Sequence, residues 1–402
     1  MNSVIRIRIF CVVVAVMLLY APATVLAKDK ILIGAAISLS GPYAPGAGMT
    51  QLPNYKMWVE EMNAKGGIYV KEYNKRLPVE LIIYDDKSDI GTAVKLVEKL
   101  IIQDKVDLLL PPWGTAMHFA VGPVANKYGY PLIGPTVSSE KLRELADKIP
   151  YFFGILNMPR EQAAALVDLL AELGVKKTAL IYVADAYGIE WTGKVSPDLD
   201  QKGIETVVEK SYPLDAKDLS PLLKSIKADN VDALLCMSYP NDTFLITKQA
   251  KELNLNPKLF YLGVGVAFPI YKQMFGGPQA VEGIMGAGAW NPRVPYPGAQ
   301  EYFDRHVARW NKEPDRWASA FTYASLQILE QAIEKVGSLD RKKLRDAIAS
   351  ETFPTVIGPV KFEGGFNVQA PGEIGQWQQG RFEIVAGKDK RTAAPIYPKP
   401  AW

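Results

Sequence analysis

The chain has 402 residues, 46 basic and 43 acidic side chains, a net charge of +3 and 48% hydrophobic residues. So even a charge balance gives no reason to expect nucleic acid or an anionic membrane surface as a partner. Two cysteines exclude a disulfide scaffold, and the two histidines, His118 and His306, stand at no metal-ligand spacing.

Arg6 and Arg8 precede an apolar run from Ile9 to Tyr20, and Val25-Leu26-Ala27 then offers small residues at −3 and −1 of a cleavage site. This reads as an export signal cut after Ala27, with a periplasmic destination. A membrane anchor or a buried first helix is the alternative, but polar, strand-patterned sequence begins at once. Cys11 lies inside the apolar run, so lipid attachment is not expected. Removing Arg6 and Arg8 with the signal leaves 44 basic against 43 acidic side chains in 375 residues. Cys236 then has no internal partner, and its apolar surroundings predict a buried thiol. That length calls for two lobes rather than one core. No later run approaches about 18 apolar residues, the length of a membrane-spanning helix.

Strand-like and helix-like blocks alternate from Ile31 onward. Ile31–Ser38 reads as a strand ending at the turn Ser40-Gly41-Pro42, and Asn54–Asn63 as a helix closed by Gly66-Gly67. Val79–Tyr84, Val106–Leu110 and Pro131–Gly134 read as strands, with an amphipathic helix over Ile90–Gln103. The rhythm restarts after Pro150, with strands at Thr178–Tyr182, Glu205–Tyr212, Ala233–Met237 and Leu259–Leu262 between helices. It predicts an α/β protein with two doubly wound parallel-sheet lobes. A long helix over Ala318–Val336 falls outside the second series. Strands follow at Val360–Phe362, Gly375–Trp377 and Arg381–Val385, then a polar, proline-rich tail beyond Gly387.

Ligands of open parallel sheets sit beyond the carboxyl ends of the strands, where helix N-termini present unpaired N–H groups. Three loops of the first series qualify: Ser40–Gly48, Pro112–Thr115 and Thr136–Ser139. Their hydroxyls also suit helix capping, and the two roles can coexist.

The stretches ILIGAAISLSGPY (31–43), EEMNAKGGI (60–68), VELIIYDDKS (79–88), IYVADAYG (181–188) and YASLQILEQAIEKVGSLD (323–340) carry a resemblance spread over the whole exported chain. They resemble the branched-chain amino-acid-binding family of ABC-transporter periplasmic solute-binding proteins, the type I periplasmic binding proteins. The resemblance implies two lobes joined by three hinge crossings, near Phe153, Gly286 and Pro359. Residues 28–153 and 287–358 would form the first lobe, 154–286 and 359–390 the second, and 391–402 a tail. It further implies a monomer that closes on a small molecule and delivers it to a membrane permease, with no cofactor.

Carried over position by position, the resemblance places Trp113, Gly114 and Thr115 in the loop that holds a ligand carboxylate. Thr136 and Ser138 follow in the next loop, and Tyr187 and Tyr239 are aromatic contacts of the second lobe. Amino-acid binders place an acidic residue after the strand that Leu259–Leu262 resembles; here Val264 stands there. An ammonium buried without a charged partner would cost roughly several kcal/mol. Asp185 and Asp242 are the acids that could substitute. Aromatic residues near the expected cleft (Tyr43, Trp113, Tyr187, Tyr239, Phe268 and Trp290) suit a flat or apolar ligand body. The expected ligand is therefore a carboxylate with an aromatic or apolar body, with an amino acid as the alternative.

No nucleophile elbow, Walker loop or complete GxGxxG occurs, and Gly46-Ala47-Gly48 lacks the third glycine. Asp85-Asp86 suits a solvated loop or a cap better than paired acid–base chemistry. No catalytic residue or metal site is expected. A soluble sensor of the same fold is the other alternative, although no later span or signalling segment is evident before Trp402.

Overall fold

The computed structural model describes residues 28–402 apart from 289, 371, 388 and 389. The expected export signal lies outside the described residues. In chain order the first strands are β1 (Ile31–Ile37), the short hairpin β2 (Ile68–Val70) and β3 (Lys75–Leu77), β4 (Val79–Asp85), β5 (Leu108–Leu110), β6 (Leu132–Gly134) and β7 (Phe152–Gly154). β1 is nearly all apolar and buried along its length, as a parallel strand covered on both faces must be. It pairs in parallel with β4 and β5, and β6 pairs in parallel with β7. The second series supplies β8 (Lys177–Val183), β9 (Glu205–Tyr212), β10 (Ala233–Met237), β11 (Leu259–Leu262) and β12 (Met285–Ala287). These run parallel in the spatial order 12-11-10-8-9. The fold is thus α/β, with parallel-sheet lobes of the kind the sequence predicts.

Helix starts are set locally. Asp89, Asp185 and Asp340 each accept an N–H three residues on, from Thr92, Gly188 and Lys343. Each cap fixes where a loop leaves a strand and a helix begins.

The later chain departs from the expected order. β13 (Thr352–Thr355), β14 (Gly358–Glu363) and β15 (Phe366–Asn367) join the sheet of β6 and β7. Pro359 therefore lies inside β14, and the chain reaches the other sheet only at β16 (Ile374–Gln378) and β17 (Arg381–Ala386). The β14–β15 hairpin turns on Gly364-Gly365 and closes against β7 through Phe366, which delays the passage. Helices at Ala44–Thr50, Ala299–Trp310 and Arg341–Ser350 were not anticipated. The Ser319–Val336 helix packs on Leu52–Ala64, where Tyr323 donates to Glu61 at 2.5 Å. The tail is tied to the second sheet's side: the Lys399 N–H donates to the Lys258 carbonyl and the Trp402 indole to that of Leu255.

Candidate ligand cleft

β5 leads through Pro111-Pro112-Trp113 to Gly114, which caps the Thr115–Lys127 helix with φ +93°. Only glycine adopts that conformation without strain. The Gly114 N–H donates to the Thr136 hydroxyl at 3.2 Å, joining the loops after β5 and β6. Its carbonyl accepts from His118 Nδ1 at 2.8 Å. Burial pushes the imidazole down to about 4, so His118 stays neutral and fixes the loop without adding charge. The Ser138 hydroxyl donates to the Asn157 carbonyl at 2.7 Å, and the Ser138 N–H reaches toward the Thr115 hydroxyl at 3.5 Å. Hydroxyls that brace loops therefore also surround a helix N-terminus, whose positive end suits an anion.

The third loop serves another purpose. Ser40 donates to Asp85, and the Ser38 hydroxyl and Ser88 N–H donate to the buried Asp86. Asp86 is thus a buried turn anchor, neither the solvated loop residue nor the helix cap expected. The segment meant to run as a loop to Gly48 becomes a helix from Ala44.

Across the cleft, Tyr239 begins the Pro240–Glu252 helix after β10, and Tyr187 lies in the first turn of the Ala186–Gln201 helix after β8. Ring centroids of Tyr43, Trp113 and Tyr239 lie 5.4–5.6 Å apart, and Tyr187 stands 5.1 Å from Tyr239. Aromatic contact thus joins the two sides of the cleft. The Tyr239 hydroxyl donates to Asp185 at 2.8 Å.

A pocket with about 380 Å³ of space between atoms, its open mouth included, lies beside this cluster. Of the residues the sequence singles out, Gly114, Thr115, Thr136, Ser138, Tyr187, Tyr239 and Val264 line it. Four expected residues do not. Trp113 is fully buried behind the wall because its indole packs on Gly46 and donates to Thr50. Tyr43 stacks beside it. Trp290 lines a separate cavity of about 400 Å³ at the chain crossings, where its indole donates to the Val356 carbonyl. Phe268 is buried and is in neither lining.

Sequence reasoning missed Leu156, Asn157, Gln162, Trp191, Ala287 and Trp317. Trp191 was findable, being four residues from Tyr187 on one helix face. Trp317 is placed by Asp315, which accepts the N–H groups of Trp317, Ala318 and Ser319 before a helix start. Leu156 and Ala287 reach the pocket only through chain crossings that carry no local motif.

Among the described residues, no acidic or basic side chain lines the pocket. Burial pushes the Asp185 carboxyl up, against the Gly188 N–H and the Tyr239 hydroxyl. Asp242 is buried and accepts the Tyr239 N–H at 3.3 Å. Burial and the charge of Asp185 push it up to about 7. Among the described residues there is no group of three or more His, Cys, Asp or Glu that could hold a metal, and no helix long and apolar enough to cross a membrane.

A neutral pocket walled by two parallel-sheet lobes, with an anion-favouring helix start, defines a protein that binds a small solute. The chain belongs to the periplasmic binding protein family, whose model matches residues 30–381. A Leu/Ile/Val-binding protein homolog 7 from Brucella suis is 23% identical over 382 residues, covering 89% of this chain and 92% of the relative. Among the solved structures that share the fold are two with a bound ligand. A branched-chain amino-acid transporter substrate-binding protein from Streptococcus pneumoniae, in complex with isoleucine, gives a TM-score of 0.77 at 22% identity, over 89% of this chain and 100% of that one. A solute-binding protein of an ABC transporter from R. palustris, in complex with benzoate, gives 0.78 at 20%, over 93% and 99%. The protein is a solute-binding transport protein of this class, not an enzyme.

Proposed function

We propose that the protein is exported with cleavage after Ala27, binds a small carboxylate with an aromatic or apolar body, and delivers it to the permease of an ABC importer. One observation carries the ligand assignment: the pocket joins a helix N-terminus and three hydroxyl residues to tyrosine and tryptophan rings, with no acid to meet an ammonium. The carboxylate would sit against the start of the Thr115–Lys127 helix, held by Thr115, Thr136 and Ser138. Tyr187, Tyr239, Val264, Trp191 and Trp317 would bury its body. Tyr43 and Trp113 support the Tyr239 ring from behind. That a protein of this fold holds benzoate supports the reading.

Asp185 favours a second reading, an amino-acid ligand, because it lies one hydrogen bond behind Tyr239. A thermal-shift screen separates the two, since ligand that binds the folded state raises its melting temperature. Aromatic and aliphatic acids should stabilise strongly; stabilisation by leucine or valine alone would overturn the assignment. Thr115→Ala should weaken the best acid about 10- to 100-fold, the worth of a hydrogen bond to a charged group. Titration calorimetry checks this, and unaltered affinity would remove Thr115 from the site.

A further inference from the structure

The second-lobe wall of the pocket carries polar atoms that the fold itself does not use. The Tyr187 hydroxyl and the Trp191 indole N–H are both buried and have no hydrogen-bond partner. Tyr187 is 5% exposed and Trp191 3%, and both side chains line the pocket. They stand one helical turn apart with ring centroids 5.8 Å apart, so the two groups share one face of the Ala186–Gln201 helix. The Tyr187 hydroxyl reaches the loop after β11: a side-chain carbon on Gly263 would lie 2.7 Å from it, next to Val264.

Buried polar groups are nearly always paired, so two unpaired ones on one pocket wall mark a place for a ligand atom. Their chemistry narrows that atom. An indole N–H only donates, and a phenol that keeps its proton can donate as well. Burial holds the Tyr187 phenol well above its ordinary value, so it does keep that proton. An ammonium offers only donors and would leave Trp191 unpaired. The wall is therefore suited to an oxygen acceptor, which is an uncharged one when the carboxylate sits at the start of the Thr115–Lys127 helix.

We propose that Tyr187 and Trp191 form a second polar subsite, which takes a hydroxyl, ether or carbonyl oxygen carried on the ligand body apart from its carboxylate. The ligand class becomes ring-oxygenated aromatic acids, in preference to unsubstituted or amino-bearing ones. The proposal rests on the carboxylate reading above for the other end of the ligand.

Calorimetry on the signal-free protein with benzoate, 3- and 4-hydroxybenzoate and 4-(aminomethyl)benzoate tests it. At least one hydroxybenzoate should bind about tenfold or more tightly than benzoate, and the aminomethyl compound more weakly than benzoate. In Tyr187→Phe and Trp191→Phe, each checked for a cooperative melt, the ratio of hydroxybenzoate to benzoate affinity should shrink to about threefold or less. Equal affinity for benzoate and both hydroxybenzoates in the unaltered protein overturns the subsite, as does an advantage that survives both substitutions. The matching hydroxybenzamides report on the other end: amides binding as tightly as the acids would sink the carboxylate reading, while the ratio still tests this wall. No binding by any probe overturns both.

Discussion

The buried Asp242 carboxyl couples the stability of the fold to pH. Its folded value of about 7 lies above its ordinary 3.8, with burial as the main cause and the charge of Asp185 adding to it. The native state therefore holds a proton that the unfolded chain releases, and stability falls as pH rises from about 4 through about 7. Asp242→Asn keeps a side-chain oxygen that can accept the Tyr239 N–H and removes the titration. Its melting temperature should exceed that of the unaltered protein by more at pH 8 than at pH 5. An equal difference at both values, measured by thermal denaturation, would exclude Asp242 as the titrating group. His118 acts in the opposite sense: its lowered value keeps its contribution intact above about 6.5 and loses it toward pH 4.

The helix Ala44–Thr50 exists to seat Trp113. A side-chain carbon on Gly46 would lie 2.1 Å from the indole, so the helix can approach only as glycine. Thr50 completes the arrangement by accepting from the indole at 3.0 Å and donating to the Gly46 carbonyl at 2.9 Å. Gly46→Ala poses two opposed effects. Helix propensity favours alanine by about 1 kcal/mol, whereas overpacking a core costs about 1–3 kcal/mol. Trp113 is fully buried and hydrogen-bonded and has no room to retreat, so the clash should win. Urea denaturation should show a net loss of stability, and ligand affinity should fall as the Tyr239 ring loses its support. A variant more stable than the parent would show that the helix can yield.

At the scale of the molecule, the two sides of the cleft touch at points besides the aromatic cluster. The Lys141 N–H, from the first-lobe side, donates to Glu190 at 2.9 Å, and Glu190 is only 8% exposed. A hydrogen bond to a carboxylate is worth about 1.5–3 kcal/mol, and this one, part-buried, is enough to shift an open–closed equilibrium about tenfold. With the proposed hinge at the three crossings, Glu190→Ala should enlarge the radius of gyration of the unliganded protein in small-angle scattering. Saturating ligand should restore the compact value. An unaltered unliganded radius would show that this contact does not latch the cleft.

Alternating apolar blocks, aspartate caps and turn glycines are local signals, and they determined most of the strand–helix order before β12, the class of fold and most strand limits. Loop position did the same for Gly114, Thr115, Thr136 and Ser138, because strand ends of a parallel sheet converge on one edge. Which way a side chain points from such a loop is decided by packing between distant segments. That is why Trp113 turned away onto Gly46, Trp290 went to the crossings, and Trp317 and Leu156 reached the pocket unannounced. The passage of the chain after Phe366 rather than at Pro359 is of the same kind, set by pairing with β7 over 200 residues earlier in the sequence. Val264 was visible as a missing acid; only the tertiary structure showed that neither Asp185 nor Asp242 lines the pocket in its place, since each is held outside it by hydrogen bonds of its own helix start.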